Sequence, residues 1–118
     1  MIGGVTGSLK EPLTLLLGRY DEAGDLRMVA RTTPLTTAVR RELGQQLEPA
    51  GIEHPWYGRH FSASWGTGGE LEYSPVRPDL VAEFVADTAI DAGRYRHPVR
   101  FVRLRDDLTP QETPPFTA

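Results

Sequence analysis

Five arginines and no carboxylate occupy the twelve residues from Arg94 to Arg105: Arg94, Arg96, Arg100, Arg103 and Arg105. The window runs on into Asp106-Asp107-Leu108-Thr109-Pro110. A guanidinium group keeps its charge at physiological pH and presents a planar fork of donors that grips phosphate oxygens two at a time. Because strand side chains alternate, Val102 and Leu104 are expected to enter a core while Arg103 and Arg105 stand side by side on the opposite face. Two forks on one stiff element suit a triphosphate or a nucleic-acid backbone. The competing reading is a solvated edge strand whose arginines pair with nearby acids.

Other chemistries find less support. His54, His60 and His97 form no ligand-spaced cluster, and there is no cysteine, so no metal is assigned and no disulfide scaffold is possible. Gly3, Gly4 and Gly7 are followed by no Gly-Lys-Ser/Thr, which makes residues 1–8 an expected interdomain hinge rather than a phosphate loop. The serines have no evident histidine and acid partners for a hydrolase triad. Trp56, Tyr57, Phe61 and Trp65 have the makings of base-stacking platforms, but aromatics clustered around a loop more often build a satellite core.

The net charge of -3 argues against a protein that coats nucleic acid indiscriminately. Charge is segregated instead: Glu42, Glu48, Glu53, Glu70, Glu72, Asp79, Glu83, Asp87 and Asp91 precede the basic window. Only Lys10 among the 13 basic residues is a lysine, a bias that a GC-rich genome also produces. The 118 residues suit a single domain, and no apolar run approaches the roughly 20 residues of a membrane helix, so a soluble cytoplasmic protein is expected.

The elements that must position the arginines read as follows. Residues 14–20 form a largely buried strand, Glu22 to Asp25 a turn, and Leu26 to Thr32 the returning strand of a hairpin. In that strand Leu26, Met28 and Ala30 are expected on one face, with Arg27, Val29 and Arg31 on the other. Val39, Leu43 and Leu47 mark one helix capped by Thr36 or Thr37 and ended by Pro49 and Gly51. A turn-rich stretch from His54 to Gly58 leads to a short strand over Arg59–Trp65 and a loop over Gly66–Gly69. The run from Leu80 to Ile90 predicts a long central strand, with Leu80, Ala82, Phe84 and Ala86 opposite Val81, Glu83, Val85 and Asp87. A turn at Asp91–Gly93 and a frayed tail over 111–118 complete the chain. The fold class expected is mainly β, a five-stranded OB barrel with one helix.

Four strings in order carry a resemblance. They are Ile2-Gly-Gly-Val-Thr-Gly7, then Leu16-Leu-Gly-Arg-Tyr-Asp21 with Gly24-Asp-Leu-Arg-Met-Val-Ala-Arg-Thr32, then Arg77-Pro-Asp-Leu-Val-Ala-Glu83, and finally Tyr95 through Pro110. Together they resemble the C-terminal OB-fold domain of ATP-dependent DNA ligases, of the bacterial repair and end-joining type, nearly end to end. The resemblance implies that Arg103 and Arg105 orient the β and γ phosphates of ATP, carried with Mg2+ in the complete ligase. It also implies that Arg19, Arg31, Arg94, Arg96 and Arg100 contact nicked duplex DNA, and that a nucleotidyltransferase lobe acts in cis or in trans.

Two departures from the family pattern stand out. Leu108 takes a position where the family often has lysine, and Lys10 is followed by Glu11-Pro12-Leu13 rather than completing Lys-x-Asp-Gly. No catalytic residue of the adenylation step is therefore expected in this chain. A stand-alone, non-catalytic nucleic-acid-binding OB module is the alternative, and a protein-interaction domain using the acidic middle is a third reading.

Overall fold

A computed structural model describes residues 1–58, 62–64, 67–70, 72–86, 90–91, 94–95 and 97–110. The chain opens with β1 (Ile2–Gly7), β2 (Pro12–Tyr20) and β3 (Leu26–Arg31), followed by α1 (Thr37–Gly44). Short strands follow: β4 (Ser62–Ser64), β5 (Thr67–Glu70), β6 (Ser74–Pro75), β7 (Ala82–Val85), β8 (Ile90–Asp91), β9 (Arg94–Tyr95) and β10 (Arg100–Leu104). The protein is thus mainly β with one short helix. Its principal sheet has the order β3-β2-β1-β6, and β10-β7, β4-β5 and β8-β9 pair separately. The closed five-stranded barrel expected from the sequence is not formed as a closed sheet among the described residues.

The β2-β3 hairpin follows directly from its sequence. Asp21 Oδ1 accepts from the backbone N–H groups of Ala23 and Asp25, and Gly24 takes the left-handed conformation with φ of 86°, which closes the turn. β2 is apolar on both faces: Leu15 and Leu17 join one core cluster with Ile2, Val5 and Ala30, whereas Leu16 joins another with Leu26, Met28 and Trp56. The expected grouping of Ala30 with Leu26 and Met28 is overturned by a register shift. Leu17 pairs with Ala30 but Gly18 pairs with Met28, so Val29 is the extra residue of a bulge and the alternation changes phase there.

Trp56 is fully buried against a floor of two glycines, as the satellite-core reading of the aromatics requires of it. A Cβ on Gly3 would lie 2.6 Å from Trp56 Cζ3, and one on Gly18 would lie 3.0 Å from Trp56 Cζ2. The indole Nε1 donates to the Leu26 carbonyl at 2.8 Å, and Tyr73 donates its hydroxyl to the Trp56 carbonyl at 2.6 Å. Tyr57 next to it is exposed, and Phe61 and Trp65 lie outside the described residues.

Thr36 is the N-cap of α1, accepting from Val39 N, and Leu43 is its buried residue. The helix stops at Gly44, short of Leu47, although Leu47 N still donates to Leu43 O at 2.9 Å. The Lys10 carbonyl occupies the space that a Cβ on Gly44 would need, so the β1-β2 connection packs directly on the last turn. The stretch from His54 to Gly58 is turn-rich as expected, but the loop expected over Gly66–Gly69 is replaced by β5, which pairs with β4. Residues 1–8, expected as a hinge, contain β1, which lies between β2 and β6 with Ile2 and Val5 in the core. The expected tail, 111–118, lies outside the described residues.

The expected long strand from Leu80 to Ile90 resolves into β7, only four residues long, and β8, with residues 87–89 outside the described set. Leu80, Ala82, Phe84 and Ala86 pack against the main core as expected and Val85 is exposed, but Val81, expected on the face of Val85, is buried. The segment before β7 is hydrogen-bonded on both sides, as a central strand is. Leu80 O accepts from Ile2 N at 2.9 Å, whereas Val81 O accepts from Arg105 N at 2.8 Å. A second link, the parallel bridge between Thr32 and Val99, ties the end of β3 to the approach to β10.

Candidate functional site

β7 and β10 carry the candidate site. Arg100 pairs with Val85 and Phe101 with Phe84, after which Arg103 pairs with Glu83 and Leu104 with Ala82. Val102 is therefore bulged out of the ladder. This corrects the expected alternation: Val102 is 40% exposed, while Phe101 and Leu104 pack on the core. The bulge also sets Arg103 directly opposite Glu83, a partnership that the local sequence around Arg103 does not contain.

Arg103 and Arg105 come together on that carboxylate. Glu83 Oε1 accepts from Arg103 Nε and Nη2, both at 3.4 Å, and from Arg105 Nη1 at 3.3 Å. Arg105 has a second, tighter partner, since its Nε and Nη2 donate to the two oxygens of Asp107 at 2.9 and 2.7 Å. The turn after β10 makes this fork-to-fork pair possible, with Leu108 N donating to Arg105 O. The Arg105 guanidinium holds the Asp107 carboxyl at about 2, below the usual carboxylate range, and is itself pushed further up by Asp107. Arg103 is largely exposed and Arg105 is 29% exposed, so both can reach an incoming anion.

Beside Arg105 lies a cleft of about 170 Å³ lined by Leu80, Val81, Leu104 and Leu108, with Asp79 and Asp106 among its walls. Leu108 thus supplies an apolar wall at the position where the family resemblance implies lysine.

Of the five arginines expected on DNA, Arg19, Arg31 and Arg100 lie wholly within the described residues. Arg31 and Arg100 stand beside one bridge between strands. They flank the Thr32–Val99 bridge, where Arg31 O accepts from Val99 N at 2.8 Å, and Arg31 is half-buried while Arg100 is exposed. Arg31 Nε reaches Thr14 Oγ1 at 3.4 Å, and Arg100 is exposed with no ion pair among the described residues. Arg19 sits near the hairpin turn opposite Arg27, which is bound to Asp21 at 2.7 Å. Arg94 lies in β9 with its backbone paired to Asp91, and Arg96 lies outside the described residues.

Comparison with known proteins decides the family. The ATP dependent DNA ligase C terminal region matches residues 10–108. The chain belongs to this family. It is 32% identical over 112 residues to DNA ligase C of Mycobacterium tuberculosis, covering 83% of this chain and 31% of that protein. It is 31% identical over 101 residues to DNA ligase C1 of Mycolicibacterium smegmatis, with 82% and 29% covered, and 30% identical over 110 residues to DNA ligase C2 of the same organism, with 80% and 31% covered. The chain spans somewhat under a third of the length of these curated relatives. No solved structure matches it. The ligase family match includes β7, β10 and the Arg105–Leu108 turn, and so contains the whole arginine and carboxylate cluster.

Proposed function

We propose that this chain is the OB-type C-terminal domain of an ATP-dependent DNA ligase. In this reading Arg103 and Arg105 orient the β and γ phosphates of ATP, bound with Mg2+ in a nucleotidyltransferase lobe that acts in cis or in trans. The observation that carries it is the convergence of two guanidinium groups on one anionic oxygen, at 3.3–3.4 Å, inside the family-matched region. A phosphate oxygen has the charge and size to take that position. As pyrophosphate departs, negative charge grows on its oxygens, and preorganised guanidinium groups stabilise it without reorganising.

The strand order supports an OB-type arrangement. It runs β3-β2-β1, returns from β1 through Leu80 to the β7-β10 pair, and meets β3 again at Thr32 and Val99. Mg2+ is taken to arrive on the phosphates of ATP. The lysine that becomes adenylated belongs to the other lobe. Arg31 and Arg100, joined by Arg19, Arg94 and Arg96, are proposed to contact the phosphodiester backbone of nicked DNA, in a cytoplasmic setting. No helix among the described residues is long and apolar enough to cross a membrane.

The test is complementation. Adding the chain to a separately produced nucleotidyltransferase lobe should raise ATP-dependent self-adenylation of that lobe. Arg103→Ala should remove that gain, by about 10²-fold in rate. No gain from the intact chain would count against the reading.

A further inference from the structure

Glu83 and Asp107 both neutralise the arginine pair, but their grips differ. Charge-assisted hydrogen bonds between guanidinium and carboxylate normally fall at about 2.7–2.9 Å. Asp107 meets that standard on both of its oxygens and anchors one edge of Arg105. Glu83 does not: a single oxygen is shared among three donors at 3.3–3.4 Å, and its side chain is 36% exposed. The donors that face Glu83, Arg105 Nη1 and the Nε and Nη2 of Arg103, are the ones still available once Asp107 has taken the other edge of Arg105.

We propose that Glu83 is a built-in competitor for the anion position between Arg103 and Arg105, a residue that sets the affinity of the site. This rests on the phosphate reading of the pair given above. With the site empty, the shared oxygen holds the two forks facing a common point. An incoming polyphosphate displaces the carboxylate, which remains tethered nearby on β7 and repels the ligand in proportion to the ligand's charge. A site that must release pyrophosphate after each adenylation benefits from such a competitor, because the carboxylate refills the position and favours departure of a highly charged product. Within the ion-paired cluster the two charges of Arg103 and Arg105 balance those of Glu83 and Asp107, while Asp79 and Asp106 line the cleft beside Arg105. Removing the Glu83 charge makes the site one unit more positive.

Glu83→Gln separates positioning from competition, since its amide oxygen still accepts from both arginines while the charge is gone. Titrating inorganic tripolyphosphate into the 118-residue chain by calorimetry should give binding about tenfold tighter for Glu83→Gln than for wild type. Glu83→Ala should also tighten binding, by less, because the arginines lose their shared acceptor. Glu83→Gln should have no effect on top of Arg103→Ala/Arg105→Ala. If that double variant binds tripolyphosphate as well as wild type, the phosphate reading itself fails. If losing the arginines weakens binding while neither Glu83 variant tightens it, only the competitor role is overturned.

Discussion

At the scale of the residue, the same side-chain types acquire different roles through their partners. Arg77 is held between Glu48 at 3.1 Å and Asp79 at 3.2 Å, and Arg27 is held by Asp21, whereas among the described residues Arg103 has only the long contacts to Glu83. Exposed pairs of this kind stabilise a fold little, which leaves Arg103 free to change partner. His54 shows the opposite behaviour. It is buried, its Nδ1 accepts from the Trp56 N–H at 2.9 Å, and its buried Nε2 has no well-formed partner. Burial lowers its pKa, against smaller opposing contributions from the Val76 carbonyl, the Glu53 charge and the Gly3 carbonyl. The unfolded chain therefore takes up a proton at a higher pH than the folded one, so stability falls as pH drops below about 6.5. Thermal melts between pH 7 and 5 should show this loss, and His54→Gln should make the decline less steep. An equally steep decline in the variant would remove His54 from the explanation.

At the scale of the element, close backbone approaches decide which substitutions are tolerated. Gly3→Ala would drive a methyl group into the Trp56 ring, and overpacking of this kind costs about 1–3 kcal/mol. Gly44→Ala meets the backbone of Lys10 instead of a side chain, and should lower the melting temperature despite alanine's better helix propensity. Denaturant unfolding of both variants checks these outcomes, and unchanged midpoints would contradict the packing described. The elements themselves were unevenly legible in the sequence. The β2-β3 hairpin and the Thr36 cap follow from local turn and capping chemistry, which depends on a few adjacent residues. Bulges at Val29 and Val102 leave composition and length untouched while reversing the faces, so alternation misassigns Ala30 and Val102. The meeting of Arg103 with Glu83 depends on register between strands some 20 residues apart. No local pattern encodes it, although Glu83 does stand in the Arg77–Glu83 string that carries the family resemblance.

At the scale of the whole molecule, the first residue is wired into the sheet. The Met1 amine donates to Gly18 O at 2.7 Å, and Gly18 N donates to Met1 O at 2.8 Å. Burial, with a smaller contribution from Arg19, lowers the amine pKa from 8.0 to about 5. In the 118-residue chain the charged amine is therefore disfavoured by folding, and stability rises with pH between about 5 and 8, by at most roughly 4 kcal/mol. Nα-acetylation should abolish that component, because an amide donates to Gly18 O without carrying charge; an unchanged pH dependence after acetylation would show that the amine is solvated. The arginine pair lies on the β7-β10 ladder, which Leu80 and Val81 connect back to β1. The account turns on these two arginines acting as a local anion site rather than as part of a diffuse positive field. Nuclear magnetic resonance of the guanidinium groups during titration with inorganic tripolyphosphate tests this most directly. The Arg103 and Arg105 signals should move together to saturation at one midpoint while those of Arg27 and Arg77, paired with carboxylates outside the β7-β10 cluster, stay in place. Equal movement of all four, or movement of none, would contradict it.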